Sequence, residues 1–312
     1  MTIYIACPNG IVTGGVELLH QLCYQMNTYD NVNAYIWYIM NNGVNKHPDA
    51  YEKYNNPIAK ESHTDEAILV FPEIWVNLSL SPAFINNKKI IYWESVDNYF
   101  NHTEKYIQMI FPDNCIHLAQ SYYALDFLQN KAHIDNDHII YVSDYLNGVY
   151  LELYDATIRR ERFVLYNPLK GLNFTTKIMN TLKYFGTDVT FIPIQNMTAG
   201  QVRNLMLHSM LYIDFGDFPG KDRIPREAVI SGCCIITSRS GAANYIHDVN
   251  IPDKYKFDNK DFNIESICDT IKYILDHYEE CNREYEPYRQ DIRKEYSYFV
   301  NGVDKLINLL SE

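Results

Sequence analysis

Short apolar and aromatic runs recur along the chain, and between them the apolar positions fall three and four apart. The runs Thr2–Cys7, Asn33–Met40, Ala67–Phe71, Lys89–Trp93, Ile116–Gln120 and His138–Val142 predict strands in the first half. Arg162–Tyr166, Val189–Ile194, Leu211–Phe215 and Cys234–Thr237 predict strands in the second. Helical spacing marks Val16–Met26, Ser121–Lys131, Thr175–Tyr184, Ala199–Ser209 and Pro225–Gly232. It then runs almost unbroken from Ile264 through Ile267, Ile271, Ile274 and Leu275 to Val300, Val303, Leu306, Ile307 and Leu310. Strands alternating with helices imply an α/β protein with parallel sheets and crossover helices. Between Tyr145 and Arg162 the strand pattern lapses, a turn stands at Gly148, and charges cluster at Arg159-Arg160-Glu161-Arg162. A boundary there gives two Rossmann-like doubly wound domains, residues 1–150 and 151–312, the second with a helical tail. Such sheets bind ligands beyond the carboxyl ends of their strands, so a cleft faced by both domains is the expected site.

Composition narrows the function. At 47% hydrophobic and 21% charged over 312 residues, the chain can fold around real cores and is not a disordered polymer. A net charge of −12 is the wrong sign for gripping nucleic-acid phosphates, so no nucleic acid is expected as a partner. The 27 tyrosines suit sugar faces, and codon usage explains them equally well. Seven cysteines with no C-x-x-C pair and no histidine at zinc-ligand spacing predict reduced, structural thiols and no metal site. The first residues carry no basic region and no long apolar stretch, which points to the cytoplasm. Nothing reaches the roughly 18 apolar residues of a membrane-spanning helix.

Three loops carry the candidate chemistry. The first, Asn9-Gly10-Ile11-Val12-Thr13-Gly14-Gly15-Val16-Glu17, joins a strand to a helix, where glycines admit a close ligand and the helix start offers N–H groups to an anion. Its spacing is not G-x-G-x-x-G, so the dinucleotide fingerprint fails. The second ends the strand at Phe163–Tyr166 and carries Lys170-Gly171, a compact point charge able to neutralise a diphosphate. The third runs from Leu211 through Asp214, Lys221, Arg223, Arg226 and Glu227 to the small-residue loop at Gly241. Lys221, Arg223 and Arg226 concentrate positive charge in an acidic protein, and an acidic residue near the helix start can accept both hydroxyls of a ribose.

The order Gly-Gly-Val-Glu, Lys-Gly, then Glu-Ala-x-x-x-Gly with an apolar strand and a small-residue loop resembles the GT-B glycosyltransferases, in particular the family-4 type of bacterial polysaccharide assembly. The resemblance implies transfer of a sugar from a nucleoside-diphosphate sugar, without a cofactor or metal, to a saccharide acceptor. Lipid-linked saccharides are among such acceptors, which implies peripheral contact with a membrane. Gly14 and Gly15 resemble the loop near the donor phosphates and acceptor, Lys170 the phosphate-binding lysine, Glu227 the ribose-binding second glutamate of the E-x7-E motif, and Gly241 the glycine beyond it. Two positions depart from the pattern. Pro219 stands where the first glutamate belongs, and Asn167-Pro168 stand where an arginine precedes Lys-Gly. Lys221 or Arg223 would supply the missing charge, and either anomeric outcome is open.

An inverting transfer needs a base that takes the acceptor hydroxyl proton. Glu17, Glu94 and Asp97 are the candidates, with Glu73 beside them, each near a strand end and each also readable as a solvated or capping carboxylate. Trp75, Trp93 and Tyr99 could floor an acceptor platform, with buried packing the expected job of at least one of them. A nucleotide-sugar epimerase of the same fold and a non-catalytic partner subunit are the alternative readings.

Overall fold

The computed structural model describes residues 1–39, 46–60, 66–102, 111, 115–152 and 157–311. Two compact units emerge from the contacts, Met1–Tyr145 with Tyr296–Glu312, and Leu146–Glu295. The division therefore falls five residues before the expected boundary, and the last stretch of the helical tail packs with the first unit rather than the second.

In the first unit the elements are β1 (Thr2–Cys7), α1 (Gly14–Met26), β2 (Asn33–Tyr38), β3 (Ile68–Pro72), α2 (Val76–Ser79), β4 (Lys89–Trp93), α3 (Val96–His102), β5 (Cys115–Ala119), α4 (Tyr122–Asp126) and β6 (Ile139–Tyr141). The strands form one parallel sheet in the order β2-β1-β3-β4-β5-β6. Every residue of β3, β4 and β5 is buried, the signature of parallel strands covered on both faces. One face packs Ile3, Ile5, Ile90 and Leu118 against α1 residues such as Leu19 and Leu22, together with Phe299, Val303, Leu306 and Ile307 from the end of the chain. The other buries Phe71, Ile91, Trp93 and Leu128.

The second unit adds α5 (Gly148–Leu151), β7 (Glu161–Tyr166), α6 (Leu172–Tyr184), β8 (Thr190–Pro193), α7 (Ala199–Leu207), β9 (Ser209–Asp214), α8 (Arg223–Ile230), β10 (Cys234–Ser238), β11 (Lys256–Phe257), α9 (Ile264–Asp276) and α10 (Tyr278–Arg283). Last comes α11 (Glu286–Ser311), which begins in this unit and ends in the first. Its parallel sheet runs β11-β10-β9-β7-β8. In each sheet the first strand lies between the second and the third, so crossovers leave in opposite directions between β1 and β3 and between β7 and β9. That switch point opens a crevice at the strands' carboxyl ends.

Element edges differ from the pattern in instructive ways. The predicted helix Ser121–Lys131 is α-helical only to Asp126 and widens to a π turn over Phe127–Lys131. The helix placed at Pro225–Gly232 begins at Arg223, because proline is well tolerated in a first turn. Met40, which would have closed the second strand, lies outside the described residues.

Candidate functional site

At the switch point of the first sheet, the loop after β1 enters α1 at Thr13, whose hydroxyl accepts the Val16 N–H at 3.3 Å. The Tyr51 hydroxyl accepts the Thr13 N–H at 2.8 Å and donates to the Thr13 carbonyl at 3.0 Å, fixing the loop. Gly14 and Gly15 open the helix. A Cβ on Gly15 would stand 2.2 Å from Glu94 Oε2, so the Glu94 carboxylate occupies the space beside this glycine. Glu94 follows β4, and its N–H donates to Glu73 Oε2 at 2.9 Å. Glu73, just past β3, is buried, which pushes its carboxyl well above the ordinary range, while the N–H groups of Glu94 and Ser95 hold it down in part.

The other candidate bases are engaged. Glu17, in the first turn of α1, pairs with Lys53 at 2.6 Å and accepts the Tyr54 hydroxyl at 2.9 Å, which makes it a brace for that helix. Asp97 accepts the Tyr123 hydroxyl at 2.6 Å. Of the three aromatics weighed as a platform, Trp93 and Tyr99 take the packing alternative: they lie in the core with ring centroids 5.2 Å apart, and Trp93 Nε1 donates to His117 Nδ1 at 3.0 Å. Trp75 is half-buried and packs against that same core.

At the switch point of the second sheet the loops after β7 and β9 press together. Gly171 has φ +61°, and a Cβ there would lie 2.4 Å from the Phe215 carbonyl group. A Cβ on Gly216 would lie 2.5 Å from Lys170 Cβ. These two glycines are what allow the lysine-bearing loop to pass so closely. Asp214 ends β9, buried, and accepts the Gly216 N–H at 3.0 Å and the Tyr212 hydroxyl at 2.7 Å. Burial pushes its carboxyl up to about 6, helped by the charge of Asp222 and opposed by these hydrogen bonds and by Lys170. The Lys170 ammonium pairs directly with the Asp222 carboxylate. A recess of about 360 Å³ opens here, lined by Gly171, Asn173, Phe174, Gly216, Asp217 and Asn259.

The charge cluster of the third loop is redistributed. Arg226 is fully buried: its Nη1 donates to Glu295 Oε2 at 2.9 Å, its Nε to the Asp222 carbonyl at 3.1 Å and its Nη2 to the Lys221 carbonyl at 3.1 Å. Lys221 is 9% exposed and pairs with Glu295 Oε1 at 2.8 Å. The expectation that both face a ligand is corrected, since together they neutralise a buried glutamate and lock the loop before α8. Arg223 and Glu227 remain half-exposed on the first turns of α8. Gly241, φ +48°, starts a short turn whose Ala242 N–H donates to the Phe218 carbonyl at 2.9 Å.

Comparison with solved structures follows the same architecture. A glycosyltransferase from Rickettsia africae superposes with a TM-score of 0.64 at 14% identity, over 99% of this chain and 97% of that one. HepE from Anabaena, in complex with UDP-glucose, gives 0.64 at 10% identity over 99% and 100%. Sucrose-phosphate synthase from Thermosynechococcus elongatus gives 0.67 at 11% identity over 99% and 98%. The chain has the GT-B glycosyltransferase fold. No protein-family model matches the sequence, and a search of curated proteins finds no match.

Within this GT-B fold, sequence reasoning gave Asp214 and Asp222 no role at the second switch point, although an acid ending an apolar strand and another one residue before a helix are both visible signals. Among the described residues no group of three or more His, Cys, Asp or Glu is placed to hold a metal ion. No described helix is long and apolar enough to cross a membrane.

Proposed function

We propose that this chain is a glycosyltransferase that moves a sugar from a nucleoside-diphosphate sugar to a saccharide acceptor, including lipid-linked saccharides, in the assembly of cell-surface polysaccharide. The observation that carries the reading is the second switch point: two glycines with no room for a Cβ bring the Lys170 loop against the end of β9, beside a recess at the carboxyl ends of the strands. A diphosphate leaving group develops negative charge as the sugar departs. In this reading the Lys170 ammonium and the N–H groups at the start of α8 offset it, and no metal is assigned to the step. Glu227 accepts the ribose hydroxyls. Glu94 takes the proton from the acceptor hydroxyl, from its place at the end of β4 beside Gly15 and the start of α1. The UDP-glucose complex of HepE supports a uridine donor as the first to try.

Thermal unfolding with UDP, GDP, dTDP, ADP and CMP tests this directly. A ligand at about 100 times its Kd contributes about 2.7 kcal/mol and a visible rise in Tm. One nucleotide should give that rise, and Lys170→Ala and Glu227→Ala should abolish it. Lys221→Ala is unsuitable as a control because it removes one of the two buried cations that pair with Glu295. No rise with any nucleotide would sink the transferase reading and leave a non-catalytic partner role.

A further inference from the structure

We propose that Asp222 is an internal occupant of the lysine of the donor site: its carboxylate covers the Lys170 ammonium, and a nucleoside diphosphate binds by displacing it. The inference rests on the donor site proposed above and adds a residue that sets its affinity.

Four features of the loop carry it. The ion pair joins two side chains that ligand can reach, 31% exposed for Lys170 and 20% for Asp222. Asp222 is also the N-cap of α8, where a carboxylate ordinarily accepts an N–H of its own helix, yet it makes no such capping bond. The capping seat for that carboxylate is the Ile224 N–H, since Pro225 has none to offer. The backbone is held in place, because buried Arg226 holds the carbonyls of both Lys221 and Asp222 at 3.1 Å.

Electrostatics makes displacement necessary. Lys170 faces Asp222 and, behind it, the buried Asp214, so two carboxyl groups already lie about this ammonium. A diphosphate brought to that ammonium with Asp222 still seated would meet a carboxylate at contact distance, a like-charge approach that costs more than the shared cation returns. With Asp222 turned to the helix start, the lysine is released to the phosphate and the helix N-terminus gains an anion. The competing view, a plain strut between two loops, predicts the opposite sign when Asp222 is neutralised.

The experiment is isothermal titration of UDP, and of GDP, dTDP, ADP and CMP, into the full chain as wild type, Asp222→Asn, Lys170→Met and the double variant, with Tm recorded for each. Displacement predicts that Asp222→Asn binds the preferred nucleotide about three- to tenfold more tightly. The gain should vanish in the Lys170→Met background and shrink as salt rises. Should Asp222→Asn fold poorly, Asp222→Ser keeps a capping hydroxyl without the charge and must show the same gain. Equal or weaker binding by the neutral variants, with wild type binding normally, overturns the displacement while leaving the donor site intact. Absence of binding to every variant, wild type included, overturns both.

Discussion

Glu73 and Asp214 occupy the same place in two sheets of the same order. Glu73 follows the third strand of the first sheet and Asp214 ends the third strand of the second, each at a switch point and each buried. Each accepts a backbone N–H, from Glu94 at 2.9 Å and from Gly216 at 3.0 Å. The neighbours differ. Glu73 grips the loop of the next strand and so sets Glu94, an anion, against Gly15, whereas Asp214 grips its own loop and stands behind Lys170, a cation. One backbone plan thus sets a second carboxyl group beside one corner and a lysine ammonium beside the other, and the side chain next to the buried acid makes the difference.

The largest effect should separate those two roles. Glu94→Gln is expected to lower kcat about 10²–10⁴-fold while leaving the nucleotide-induced rise in Tm intact, whereas Lys170→Ala should remove the rise itself. Product formation and thermal shift measured side by side check this, and loss of the rise in Glu94→Gln would erase the division of labour.

The glycines come next. Gly171→Ala puts a methyl group into backbone at a left-handed φ, with an expected cost of about 2–4 kcal/mol in urea unfolding. The third effect follows from Asp214. Its carboxyl goes from an ordinary 3.8 to about 6 in the fold, so between those values the native protein keeps a proton that the unfolded chain has released. Stability contributed by this group is therefore present at low pH and lost as pH rises through that window, about 3 kcal/mol in all. Asp214→Asn should lack this slope when unfolding midpoints are compared at pH values on either side of the window, and equal slopes would assign the pH dependence elsewhere. The smallest effect belongs to Gly15→Ala. Its neighbour is the tip of the Glu94 side chain, which can swing aside, so stability should fall by less than about 1 kcal/mol. The displaced carboxylate should nevertheless show in the rate of transfer.

The fold was legible in the chain because parallel strands are continuous apolar runs. Ile68–Pro72 and Lys89–Trp93 are buried at every position, and the pattern finds both within a residue. Tyr145, the end of the first unit, opens the stretch where the strand pattern lapses, and the turn at Gly148 drew the expected boundary five residues beyond it. At the site, Lys170, Gly171 and Gly15 stand out from loop position alone. Arg226 does not, because an arginine on an amphipathic helix looks solvent-facing until Glu295, far along the chain, is brought beneath it. The pairing of Asp222 with Lys170 is hidden for the same reason, the two lying in different loops. Such pairings belong to the tertiary fold and leave no local periodicity.

The passage of α11 from one unit to the other has a consequence for biogenesis. The ribosome delivers the first unit's sheet first, yet Phe299, Val303, Leu306 and Ile307, which pack into its core, emerge only after the whole second unit. Until then the face covering Ile5 and Ile90 lacks its final layer, and the nascent protein must carry that exposed apolar surface throughout synthesis of the second unit. A fragment ending near Tyr145 should accordingly aggregate, and chaperone demand should peak before the final turns of that helix leave the exit tunnel.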